Sequence, residues 1–135
     1  MASNNPITAT LGNIDYTTRV DVDEFDFTVD EPESIGGTGK SPGPFGYLLG
    51  SLTACTAITL KMYAQRKGWD LGVIKVSADF AFINTEDGQK RVIKKSYSFE
   101  KAPTEEQRKR LMIIAEKCPV SKMLKSGVEM EATSF

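Results

Sequence analysis

The chain predicts a mixed α+β fold. Three observations carry this: short alternating runs near the amino terminus, one long apolar helical stretch from Phe45 to Lys67, and two alternating segments that flank an Asp87-Gly88 turn. In residues 7–29 the apolar side chains Ile14, Tyr16, Val20 and Val22 sit at even positions, whereas Phe25, Phe27 and Val29 sit at odd ones. The change of parity at Asp23-Glu24 predicts a turn between two antiparallel strands. Residues 30–44 hold four glycines and three prolines and read as a loop.

The following helix carries Phe45, Leu48, Leu49, Leu52, Cys55, Ile58, Leu60, Met62 and Tyr63 nearly all the way round, which predicts burial on several sides. Pro44 and Lys61 bracket too short an apolar stretch, broken by Ser51, Thr53, Thr56 and Thr59, for a membrane span of roughly 20 residues. Gly68 is placed to end the helix in a left-handed conformation. Residues 69–82 and 92–99 alternate as strands of a hairpin turning at Glu86-Asp87-Gly88. Thr104 with Gln107 spells a capping box for a helix ending at Cys118, because Pro119 cannot continue it. Pro119 opens a short helix to Lys125, and Gly127 precedes a last strand over 128–135.

The 40% hydrophobic and 26% charged fractions, at 135 residues, are those of one globular domain spanning 1–135. A net charge of −1 argues against a nucleic-acid partner. The first six residues carry neither a positive charge nor an apolar core, so no membrane association is expected and the cytoplasm is the expected location. The chain has no histidine, which excludes Ser-His-Asp and Cys-His catalysis and His-ligated zinc together. Two cysteines this far apart make a poor metal site, and no cofactor is expected.

Gly36-Gly37-Thr38-Gly39-Lys40-Ser41 imitates the end of a phosphate-binding loop. The full motif needs a glycine where Ser34 stands and a helix starting where Pro42-Gly43-Pro44 stands, so it is rejected. That leaves the cysteines. Taken alone, Cys55 in mid-helix reads as a small buried hydrophobe. Cys118, at a helix end beside Pro119, reads as accessible to chemistry, although a helix carboxyl end disfavours a thiolate. A reactive Cys55 needs a nearby cation. Arg19, the only arginine before it, reads by itself as a solvated strand charge.

Two blocks make the sequence specific. Asp30-Glu31-Pro32, Gly36-Gly37 and the run from Ser41 to Gly68 around Thr53-Ala54-Cys55-Thr56 form the first; Ile114-Ala115-Glu116-Lys117-Cys118-Pro119-Val120-Ser121-Lys122-Met123-Leu124 forms the second. In this order they resemble the OsmC/Ohr family. The resemblance implies an OsmC-like fold, with antiparallel strands around a long buried central helix, in an intertwined homodimer whose active sites form at the subunit interface. It implies a thiol peroxidase: Cys55 attacks a hydroperoxide as thiolate, Cys118 resolves the sulfenic acid as a disulfide, and a thiol or dithiol reductant restores both. By the same analogy Arg19, or Lys40 in its place, would activate Cys55, and Phe25, Phe45, Tyr47 and Leu48 would line an apolar substrate pocket. The chain departs from the family at Phe45-Gly46, where a glutamate usually holds the arginine, and at Ser121, where a histidine is more common. The alternative is a non-catalytic OsmC-like dimeric protein that binds a small molecule.

Overall fold

The computed structural model describes residues 5–134 and divides into two compact units, residues 1–48 and 49–135. The first unit holds a meander of three antiparallel strands: β1 (Thr8–Leu11), β2 (Thr18–Val22) and β3 (Phe25–Val29), in that order. The parity change corresponds to the β2–β3 turn, where Val22 pairs with Phe25. A second break, at residues 12–17, separates β1 from β2, which pair from Thr8 opposite Asp21 to Leu11 opposite Thr18.

The glycine- and proline-rich loop is organised around Asp30, which is 1% exposed. Its carboxylate accepts hydrogen bonds from the Thr17 hydroxyl (2.8 Å), the Glu31 N–H (2.7 Å) and the Thr38 hydroxyl. The Thr38 hydroxyl, then the Glu31 N–H, hold this carboxyl down at about 2 against an ordinary 3.8. Gly37 is required here, since a Cβ would lie 1.9 Å from the Glu31 carbonyl oxygen.

Helix α1 (Pro44–Lys67) begins in the first unit and continues into the second. It is the one helix among the described residues long and apolar enough to cross a membrane, a property that core helices of globular proteins share. Its end matches expectation: Gly68 has φ +70°, and the Trp69 N–H reaches back to the Ala64 carbonyl at 2.8 Å. Within the chain its buried residues are Leu52, Thr56, Leu60, Tyr63 and Ala64, a single stripe at helical spacing. Ile58 (55% exposed) and Met62 (61%) lie off that stripe.

In the second unit the hairpin is longer than the alternation suggested. Strands β4 (Ile74–Thr85) and β5 (Gly88–Phe99) pair along their whole length, from Ile74 opposite Phe99 to Thr85 opposite Gly88. Residues 69–73 are not strand; they connect α1 to the sheet. Helix α2 (Glu105–Ala115) starts with the expected capping box: Thr104 Oγ1 accepts from the Gln107 N–H (3.2 Å), and Gln107 Oε1 accepts from the Thr104 N–H (2.9 Å). Leu60, Tyr63 and Ala64 from α1 pack with Leu71, Leu111, Ile114 and Ala115 to make the core of this unit. Helix α3 (Pro119–Ser126) follows. The strand expected over 128–135 does not form: residues 128–134 are irregular, and Phe135 lies outside the described residues.

Candidate active site

Cys55 is carried half-buried on α1, one turn before Thr59, whose hydroxyl donates to the Cys55 carbonyl at 2.8 Å. The position of Cys118 corrects the expectation of a helix carboxyl end. Helix α2 stops at Ala115, and Cys118 is the N-cap residue of α3, with Pro119 at the first helical position, where its missing N–H costs nothing. The cysteine therefore faces the positive end of a helix dipole. It is fully buried. Its side chain accepts no capping hydrogen bond, and the Thr56 hydroxyl donates to the Leu52 carbonyl at 2.9 Å; the backbone N–H groups of Val120 and Ser121 lie near its sulfur.

The two thiols, distant in sequence, lie within hydrogen-bonding reach of each other. Burial pushes the Cys118 thiol up, but the bonds from Cys55, Ser121, Thr56 and Val120 outweigh it and hold the group below its ordinary value. Burial pushes Cys55 up, and the neighbouring Cys118 adds to the rise, against smaller opposing contributions from the Val120 N–H and the Thr59 hydroxyl. Of the two neighbouring thiols Cys118 is thus the more acidic and Cys55 the less acidic.

A cavity of about 660 Å³ is bordered by Thr59, one turn after Cys55, and by Pro119, which follows Cys118; neither cysteine lines it. Met62 and Ile114 supply its apolar wall, and Arg66 and Lys117 its charge. Chemically, this arrangement offers two neighbouring sulfurs of unequal acidity, with an amphipathic cavity one helical turn from Cys55.

The other residues singled out in the sequence lie in the first unit. Arg19 on β2 is exposed and bound to Asp21 (2.9 Å) and Asp26 (3.0 Å). Those carboxylates, Asp21 first, hold its guanidinium pKa above the ordinary value. Lys40, Phe25 and Phe45 are exposed. Tyr47 packs on Phe27 at 4.7 Å between ring centroids and donates its hydroxyl to the Thr28 carbonyl, while Leu48 is half-buried. Sequence reading missed Thr56, Thr59 and Val120 around the sulfurs. Thr56 and Thr59 sit next to and one turn after Cys55, a spacing that could have pointed to them.

Fold and site together define an α+β protein built to bring two cysteines into contact. A family model described as OsmC-like protein matches residues 37–133, and the chain belongs to that family. No curated protein matches it. Among solved structures it is similar to an OsmC-like protein from Mycoplasma pneumoniae, with 26% identity, TM-score 0.74 and coverage of 93% of this chain and 89% of that one. It is also similar to an organic hydroperoxide resistance protein from Legionella pneumophila, with 16% identity, TM-score 0.65 and coverage of 92% of each chain. A third relative in fold, from Vibrio cholerae, is an organic hydroperoxide resistance protein with captopril bound in one of its active sites (18% identity, TM-score 0.65, coverage 93% and 88%).

Proposed function

We propose that this protein is a cytoplasmic, homodimeric, single-domain thiol peroxidase that reduces organic hydroperoxides. The observation that carries this reading is the contact between Cys55 and Cys118. The hydroperoxide resistance proteins that share the fold supply the class of reaction.

Accessibility and acidity divide the work between the two sulfurs. Cys55 is half-buried, so it is the sulfur a peroxide can meet; Cys118 has no exposed surface. The Cys55 sulfur attacks the distal peroxide oxygen and the O–O bond breaks. The sulfur becomes a sulfenic acid, and the proton Cys55 gives up leaves with the alkoxide as an alcohol. The Cys118 thiolate then attacks the Cys55 sulfur, forming the disulfide and releasing hydroxide, which is protonated to water. Two electrons from a thiol or dithiol reductant restore the pair. Cys118 thus serves as resolving nucleophile and, before that, as the acceptor that polarises the Cys55 S–H bond.

Apolar walls for the substrate are offered in the second unit by Met62, Ile114 and Pro119. Phe25, Phe45, Tyr47 and Leu48, and Arg19 paired with Asp21 and Asp26, belong to the first unit. Trapping with dimedone tests the assignment. In Cys118→Ser, one equivalent of cumene hydroperoxide should leave a dimedone adduct on Cys55; an adduct absent there, with peroxide unconsumed, contradicts the reading.

One observation favours a second reading, a non-catalytic binding protein: burial raises Cys55, and its partners in its own unit, Cys118, Thr59 and Val120, include no cation. On that reading peroxide is not consumed even with excess dithiol.

A further inference from the structure

A second cavity, of about 410 Å³, lies between α1, β5 and α3, within the size range of small-ligand sites. Its floor is apolar: Leu52, Val92, Ile93 and Leu124. Its rim is cationic, with Lys90, Arg91, Lys95 and Lys125 all bordering it. One carboxylate, Glu116, meets this charge by pairing with Lys95 (3.4 Å) and with Lys125. Lys90 forms no ion pair among the described residues.

Two polar groups inside the cavity are nearly enclosed. The Lys95 side chain is only 11% exposed, and Ser121 only 4%. The Lys95 ammonium donates to Ser121 Oγ at 3.4 Å. The Ser121 hydroxyl proton finds no acceptor among the described residues, and the ammonium, besides Ser121 and Glu116, faces the Tyr97 ring at 6.0 Å. A nearly enclosed ammonium beside a buried hydroxyl with a proton to give, above an aliphatic floor, calls for an occupant that accepts hydrogen bonds and carries negative charge on an apolar body.

From this we infer that the cavity is a binding site for an aliphatic carboxylate, its head on Lys95 and Ser121 and its chain along Leu52, Val92, Ile93 and Leu124. The site is distinct from the cavity beside Thr59 and does not depend on peroxidase activity. It does touch the cysteine pair through Ser121, whose backbone N–H faces the Cys118 sulfur.

Calorimetric titration with octanoate, and with octanol and octylamine of the same chain length, tests this. Wild type should bind octanoate, with octanol weaker by about tenfold or more, since losing a charge-assisted bond is worth at least that factor. Lys95→Met should weaken octanoate by a similar factor and Ser121→Ala by a few-fold, while Cys55→Ser, which abolishes any peroxidase activity, should bind it as wild type does. Ser121→Ala removes only one buried hydroxyl and keeps the test decisive if Lys95→Met does not fold. Absence of octanoate binding to wild type, equal binding of octanol, or octanoate binding unchanged in Ser121→Ala and in any folded Lys95→Met overturns the inference.

Discussion

Replacing Ile58 by aspartate tests what covers the outer face of α1. Ile58 is 55% exposed in the single chain although it sits in the middle of an apolar helix, and Met62, one turn on, is 61% exposed. Fully burying an isoleucine is worth about 1.5–3 kcal/mol, so covering the exposed half is worth roughly 0.8–1.5 kcal/mol per chain. Across a two-fold interface the contribution doubles to about 1.5–3 kcal/mol. Losing it would weaken a dimer by roughly 10- to 150-fold, and an aspartate buried against apolar surface adds to the loss. Sedimentation velocity over a concentration series reads this directly. Wild type should be dimeric at micromolar concentration and Ile58→Asp largely monomeric, with a far-ultraviolet spectrum like that of wild type. An Ile58→Asp protein as dimeric as wild type, or a wild type that stays monomeric at high concentration, refutes the reasoning that a second copy covers this face.

Three further outcomes follow from the same geometry. Leu60→Ala, at a fully buried position in the core of the second unit, should lower unfolding free energy by about 2–5 kcal/mol in urea titration. Asp30 has a folded pKa of about 2 against an ordinary 3.8, so the stability it contributes is complete above the ordinary value and is lost as pH falls from about 3.8 toward 2. Thermal melts of Asp30→Asn should accordingly show a shallower acid limb than wild type. Gly46 is exposed, and a Cβ there would lie 3.4 Å from the nearest atom, Pro42 Cβ, so Gly46→Glu should fold with about 0.5–1 kcal/mol of added helix stability. If the glutamate usual in the family aids activation, its peroxide consumption should rise.

Much of this fold was legible because its signals are local. The capping box at Thr104 and Gln107, the stop at Gly68, the loop over 30–44 and the helix opening at Pro119 each depend on side chains a few residues apart. The strand expected over 128–135 failed for a non-local reason. Val128 and Met130 alternate properly, but a strand also needs a backbone partner, and in the described chain Met130 is 92% exposed. Cys118 was misplaced at a helix carboxyl end because Pro119 signals both a stop and a start; the helix turned out to end three residues earlier, reversing the dipole the sulfur feels. Asp30 and Lys95 were illegible as buried charges, since nothing adjacent to either in sequence reveals Thr38 or Ser121 as its partner.

On the proposed function, Cys55 and Cys118 form one redox unit. Mass spectrometry of the reduced protein after one equivalent of cumene hydroperoxide, alkylated under denaturing conditions and digested, tests it most directly. The expected product is a peptide pair joined through Cys55 and Cys118 within a single chain, reversed by a dithiol. Recovery of both cysteines as alkylated free thiols, with the peroxide unconsumed, would contradict it.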